Sequence, residues 1–298
     1  MTLRLVAALL AVYVIWGSTY LAIAVAVEGL PPLTAAGLRF LPAGVLLLGW
    51  CGWRGVRWPT GRQWRHGLLV GVLMLGFGNG LVCVAEQHVA SGMTAAIIAV
   101  APILVVGLPW LAGGPRPSGW TIAGVLTGLA GVAGLSAGLG SGGHAPWWAV
   151  ACVILATLSW VGALLLMPRL DLPEDLLMRS GMPMLLGGGS LLAVGAALGE
   201  PWRLTAGPAL APALAATGYL IVFGSLVAYT SYLWLQRHAS PGLATSNVYV
   251  NPVIAIVLGA WLRDEPLDLP LMAGCLVILV AVIMLTVDDV RRRAVRAP

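Results

Sequence analysis

The sequence predicts an all-α polytopic membrane protein, with ten transmembrane helices in two inverted five-helix repeats around a central cavity. Three observations predict this. The first is composition: 59% of the 298 residues are hydrophobic and 9% are charged, and the mean hydropathy is +0.94. A soluble domain carries roughly 25% charged residues, and a chain with so few cannot coat a water-facing globule. The same apolar excess excludes disorder. The second is run length: the apolar stretches are continuous and helix-long, where a β-barrel shows short alternating segments. The third is the placement of charge. All 16 basic residues are Arg, and they punctuate the apolar runs instead of forming a basic stripe with aromatics, so nucleic acid is not an expected partner.

A spanning helix needs about 20 mainly apolar residues. The stretches that qualify are 4–27, 33–52, 67–87, 91–112, 119–138, 146–167, 181–199, 212–235, 241–262 and 268–287. The first follows Arg4 as a signal peptide would, but it continues to Val27, too long for a signal h-region, and is read as an uncleaved helix. The second holds an arginine, Arg39, inside it. The third and seventh are rich in glycine, the seventh carrying Gly187-Gly188-Gly189. The fourth and ninth contain Pro102 and Pro252, each expected to break its helix. The fifth has GxxxG steps at Gly124/Gly128 and Gly134/Gly138, which favour close helix contact. Gly138-Leu139-Gly140-Ser141-Gly142-Gly143 follows a span and not a strand, so it reads as an outer loop instead of a phosphate cradle. Trp147, Trp148 and Trp202 flank spans as interface anchors. No connection is long enough for a separate domain, so the function resides in the helices and the bilayer is the expected surrounding.

Orientation follows the arginines. With the N-terminus inside, thirteen fall in inner segments and two, Arg203 and Arg263, in outer ones. An even number of spans returns the C-terminus to the inner side. Shifting the chain by 150 residues aligns 86–135 with 236–285, and eleven positions coincide. The informative ones are His88/His238, Gly92/Gly242 and Pro102/Pro252, because these are not the background residues of an apolar chain. Five spans per half is an odd number, so the second copy inserts upside down. Inverted repeats around a midplane site are the signature of secondary transporters, since exchanging the conformations of the copies exchanges inward for outward access. The expected organisation is a first repeat at 1–140, a second at 145–288 and a basic tail at 289–298.

Several short motifs occur in order along the chain: Trp16-Gly17-Ser18-Thr19-Tyr20, then Pro31-Pro32 leading to Gly37-Leu38-Arg39-Phe40, then Glu86-Gln87-His88-Val89-Ala90-Ser91-Gly92 with Pro102. Ala239-Ser240-Pro241-Gly242, Asn251-Pro252 and Asp264-Glu265-Pro266 follow. Together they resemble the EamA-type branch of the drug/metabolite transporter superfamily over nearly the whole chain. One turn departs, reading Gly113-Gly114-Pro115-Arg116 where the family often has Gly-Glu. The resemblance implies two inverted five-helix halves, both termini cytoplasmic, and export of amino acids, related metabolites or toxic compounds. With the compact loops, it implies the bacterial inner (plasma) membrane.

Arg39 is the sharpest single residue. A guanidinium in hydrocarbon costs at least about 2.5–3.5 kcal/mol, so something must compensate. It is read either as an anchor for a substrate carboxylate or part of an outer gate, or as a structural ion pair with Glu86 or Glu28, or as snorkelling to the headgroups. Trp16, Thr19 and Tyr20 set aromatic faces and a hydroxyl in the first span; they suit a small amphipathic solute or interhelical packing. Tyr229, Tyr232, Asn247, Tyr249 and Asn251 form a second polar group. Asn247 and Asn251 are four apart and share a helix face, as a cavity wall or as interhelical glue. Asn79 and Trp160 are further substrate-binding candidates. Glu86 alone approaches a membrane-embedded carboxylate, so proton antiport, exchange and uniport all remain open. His66, His88, His144 and His238 fall on opposite sides of the membrane and cannot share a metal. Cys51, Cys83, Cys152 and Cys275 show no metal spacing. No catalytic constellation and no Walker motif occurs, so no enzyme activity, cofactor or metal is expected. The expected partners are a small-molecule substrate and lipid, and the oligomeric state is not legible. The leading expectation is a secondary exporter of small metabolites; the alternative is a non-transporting membrane scaffold or sensor.

Overall fold

In a computed structural model, the described residues are 2–89, 94, 97–98, 100–138, 146–200, 207–263 and 269–296. Among them the chain is helical and without strands. The helices are α1 (Leu3–Gly29), α2 (Pro32–Trp53), α3 (Gly61–Ala85), α4 (Ala101–Leu111), α5 (Gly119–Gly138), α6 (Trp147–Arg169), α7 (Leu176–Ala197), α8 (Leu210–His238), α9 (Asn247–Arg263) and α10 (Leu269–Arg296). Six of them, α1, α2, α3, α6, α7 and α8, are long and apolar enough to cross a bilayer. Ala101–Leu111, Gly119–Gly134 and Leu276–Asp288 are shorter apolar stretches. Ala90-Ser91-Gly92, the glycine-rich loop from Leu139 with His144, Trp202 with Arg203, and the Asp264-Glu265-Pro266 turn lie outside the described residues.

Local chemistry sets several helix ends. Thr60 and Gln63 form a reciprocal capping box at the start of α3, and Asp175 caps α7 by accepting the Met178 N–H at 2.9 Å. Pro102 is the second residue of α4, where its missing N–H costs nothing. Pro252 lies inside α9, which runs through it without interruption. The break falls earlier, at Thr245-Ser246, between the single turn Pro241–Ala244 and α9. The basic tail does not follow the last helix but continues it, since α10 extends to Arg296.

The residues form two compact units. The first comprises Met1–Ser18, Ala90–Ala145 and Trp234–Pro298, and the second Thr19–Val89 and Pro146–Leu233. Each takes residues from both halves of the chain. In the first unit, α5 packs on α10. A Cβ on Gly124 would sit 2.9 Å from Leu285, and one on Gly131 would sit 2.7 Å from Ile278. The small-residue face of α5 therefore serves packing within the chain. Val125, Val132, Tyr249, Ile278 and Leu285 form one buried apolar cluster there. The buried Asp288 accepts hydroxyl hydrogen bonds from Ser118 and from Thr121 (2.6 Å), tying α10 to the start of α5.

In the second unit, α2 packs on α7 with backbones nearly touching. A Cβ on Gly44 would lie 2.3 Å from the Leu185 nitrogen, and one on Gly188 would lie 2.4 Å from the Leu41 nitrogen. The glycines that weaken α7 as an isolated helix are thus what lets it dock. Large apolar side chains such as Val45, Leu46, Ile154, Leu155, Leu158 and Val222 point outward, which suits a surface solvated by lipid and not by water.

Both α3 and α8 contain a π-helical segment, Val72–Gly80 and Leu220–Tyr229. Their starts are 148 residues apart, close to the offset of the sequence repeat. Wider i→i+5 turns redirect backbone carbonyls and recur at functional positions.

Candidate functional site

The second unit gathers most of the residues singled out by sequence. Arg39 sits two turns into α2 and is 6% exposed. It donates from Nε to the Ser225 hydroxyl at 3.1 Å, on the π segment of α8. Its guanidinium carbon lies 4.6 Å from the Phe40 ring centroid, a cation–π contact that gains strength away from water. Gly224 makes room for this arrangement: a Cβ there would be 2.9 Å from Arg39 Nη2. A cavity of about 10 Å³, space for about one water molecule, adjoins Arg39 and is lined by Ile23, Val27, Phe40, Asn79, Cys83 and Leu220 among others.

Neither glutamate pairs with Arg39 here. Glu28 is exposed. Glu86, directly after α3, has both carboxylate oxygens buried with no hydrogen-bond partner. It is close enough to Arg39 to interact electrostatically, but the guanidinium is turned to Ser225.

The π segment of α3 has its own side-chain partners. Ser159 on α6 donates to the Leu73 carbonyl at 2.8 Å, and Asn79 donates back to the Met74 carbonyl at 3.3 Å. Next to it Trp160 meets Tyr229 edge-on at 6.5 Å and lies 6.1 Å from Tyr232. The Tyr229 hydroxyl reaches Met74 Sδ at 3.7 Å. Trp160 packs over Gly78, whose Cβ position is 3.1 Å from its ring. Thr19 is buried and Tyr20 half-buried in this unit. The unit therefore holds an aromatic cluster and a buried cation, joined through the two π segments.

Trp16, Asn247, Tyr249 and Asn251 belong to the first unit. Tyr249 is a core residue, its hydroxyl donating to the Val125 carbonyl at 3.2 Å. Asn247 and Asn251 are buried on one face of α9, and the Oδ1 atom of each has no partner. Of the histidines, His66 bonds the Asp171 backbone, His88 meets Trp148 edge-on and His238 stacks on Trp234. Among the described residues no group of three metal-ligating side chains comes together.

Sequence reasoning missed Ser225, Gly224, Ser159 and Glu200. The first three are small residues inside apolar runs, where a lone serine carries little signal. Glu200 is outside any helix and acts across the fold. Its carboxylate accepts the Leu33 N–H (3.0 Å), the Thr34 N–H (2.8 Å) and the Thr34 hydroxyl (2.7 Å). It thus supplies to α2 the cap that Pro31 cannot. Replacing Glu200 with alanine is expected to destabilise the second unit by about 1–2 kcal/mol, read as a lower unfolding midpoint in detergent. An unchanged midpoint would show that the cap is dispensable.

The model of one family, described as the EamA-like transporter family, matches residues 3–137 and again residues 147–287. The chain belongs to the EamA-like transporter family. This is the family that the ordered motifs suggested. The "Uncharacterized inner membrane transporter YedA" of Escherichia coli (strain K12) is 41% identical over 286 residues, which covers 95% of this chain and 91% of that protein. The "Probable terminal-alkyne amino-acid exporter" of Streptantibioticus cattleyicolor is 29% identical over 272 residues, covering 90% of this chain and 89% of that one. A protein of known crystal structure superposes with a TM-score of 0.74 at 20% identity, covering 98% of each chain, and so shares the fold. This EamA-like protein is accordingly a membrane transporter with several apolar helices of spanning length.

Proposed function

We propose that this EamA-like transporter is a secondary carrier exporting small metabolites (amino acids, related metabolites or drug-like compounds) by alternating access. In this reading ten helices form two inverted five-helix repeats, 1–140 and 145–288, around a central cavity. Both termini lie in the cytoplasm, as the thirteen-to-two arginine distribution supports. The observation that carries the reading is the recurrence of a π segment at matching places of α3 and α8, each meeting polar side chains. Two copies of one device are what a carrier with two mirrored access states requires. The double match of the family model to the two halves supports the same duplication, and the amino-acid exporter among the relatives supports the substrate range.

Counterflow in proteoliposomes tests the proposal. Purified full-length protein, preloaded with unlabelled amino acids, nucleosides or lipophilic cations in turn, is expected to accelerate uptake of the matching labelled solute. A carrier shows trans-acceleration; a channel equilibrates without it, and a scaffold or sensor moves nothing. Absence of trans-acceleration for every solute class would remove the carrier reading.

A further inference from the structure

The first unit holds two buried amide oxygens that nothing in the chain satisfies. Asn247 and Asn251 are each 3% exposed, and the Oδ1 atom of neither receives a hydrogen bond. They stand one turn apart on α9 and share a face with Ile254, seven residues after Asn247. That face meets α1. The Tyr13 hydroxyl lies 2.5 Å from the Ser246 hydroxyl, and a Cβ on Gly17 would lie 2.5 Å from the Ile254 Cβ. Tyr13 and Gly17 are also one turn apart, so α1 runs along α9 here. The two amides lie on α9 between those two contacts.

The hydroxyl protons at this contact are already committed. Ser246 donates to the Leu243 carbonyl at 2.7 Å, so Tyr13 is the donor in its bond to Ser246. What remains on offer is oxygen lone pairs. Buried acceptors left bare are costly, and a bound water or ion is the usual remedy. A water could donate to both amides, but its own oxygen would find no donor here. A cation satisfies all of these oxygens at once. α1 has no charged residue between Arg4 and Glu28, and α9 has none between Asn247 and Arg263. Without carboxylates such a shell cannot offset a divalent ion; it suits a hard monovalent one held by neutral oxygens. The chain also breaks beside the amides, at Thr245-Ser246, and interrupted helices are where transporters coordinate sodium. At Asn251, one turn inside α9, the positive end of the helix no longer acts. The close approach at Gly17 leaves room for an ion and not for an organic amine.

We infer that Asn247 and Asn251 hold a sodium ion at the α1–α9 contact. Its consequence for transport rests on the carrier reading: the ion ties α1 to α9, so a sodium gradient biases the two access states. Held this way, the ion uses no His, Cys, Asp or Glu.

The test titrates full-length protein in nanodiscs with sodium chloride, ionic strength being held constant with choline chloride. Binding is read by displacement of isotopic sodium and by the unfolding midpoint. Saturable binding and a midpoint that rises with sodium are expected. Asn247→Ala and Asn251→Ala should each raise the half-saturating sodium concentration at least about tenfold. Because alanine at a buried contact can also unsettle the fold, Asn251→Asp is the second variant. It keeps the shape and adds a charge, and it should lower the half-saturating concentration at least about tenfold and admit calcium. Sodium binding that none of these variants alters overturns the inference. A protein indifferent to sodium by both readouts does so too, as the mark of a bound water alone. Methylammonium displacing the isotope as readily as sodium itself would give the site to an amine and equally overturn it. The two readings fail separately. Counterflow without sodium binding removes the ion and leaves the carrier. Sodium binding without any solute movement removes the carrier and leaves the ion site.

Discussion

Gly188→Ala and Gly44→Ala are each expected to destabilise the second unit by about 1–3 kcal/mol, although alanine is the better helix former. The added carbon at Gly188 would meet the Leu41 nitrogen at 2.4 Å, the Leu41 Cα at 2.9 Å and the Phe40 carbonyl carbon at 3.0 Å. At Gly44 it would meet the Leu185 nitrogen at 2.3 Å and the Gly181 oxygen at 2.9 Å. All of these are backbone atoms of a packed helix, so no side chain can rotate away. α2 and α7 must separate, and Phe40 and Arg39 move with α2. Gly49→Ala on the same helix meets nothing within 4 Å and is expected to leave stability unchanged or raise it by up to about 1 kcal/mol. The measurement is the unfolding midpoint of the monodisperse protein in detergent. Equal midpoints for all three variants would show that the α2–α7 contact is not what holds the unit together.

Arg39→Lys is expected to lower the initial counterflow rate at least about tenfold, despite keeping the positive charge. Lysine has no Nε–H to give Ser225 and no planar fork to lie over Phe40, so it places a point charge where the arginine presents a directed pair of donors. Membrane insertion should be retained, because burying one cation in place of another leaves the hydrophobic span unaltered. The readout is transport normalised to inserted protein. Wild-type rates in the lysine variant would mean that charge alone suffices at this position, and the Ser225 and Phe40 contacts would lose their role.

Much of the fold was legible in advance because burial in lipid has a one-dimensional signature. An apolar run long enough to span must satisfy its backbone internally, so it is a helix whatever its neighbours do. Hence α1, α2, α6 and α8 follow the expected runs within about three residues, while α3 and α7 begin six and five residues before theirs. The helix interruption was misplaced because Pro252 looks like a breaker in sequence, whereas α9 runs through it and the chain breaks at Thr245-Ser246. The candidate site was half legible. Arg39 and Glu86 stand out because charge is rare in such runs, while Ser225, Ser159 and the glycines beside them have no anomaly to betray them.

By itself the sequence determined the class of the protein, its apolar helices, the family and the suspicion that falls on Arg39. Those are properties of composition and local order, and each can be judged without knowing what lies opposite. Only the tertiary structure decided that Arg39 turns to Ser225 on a π turn of α8 and not to a glutamate, and that Glu200 caps α2 from across the fold. It alone decided that the glycines of α7 are contact points and not weaknesses. These depend on which atoms distant stretches of chain bring within about 3 Å of one another, and spacing along a chain carries no record of that.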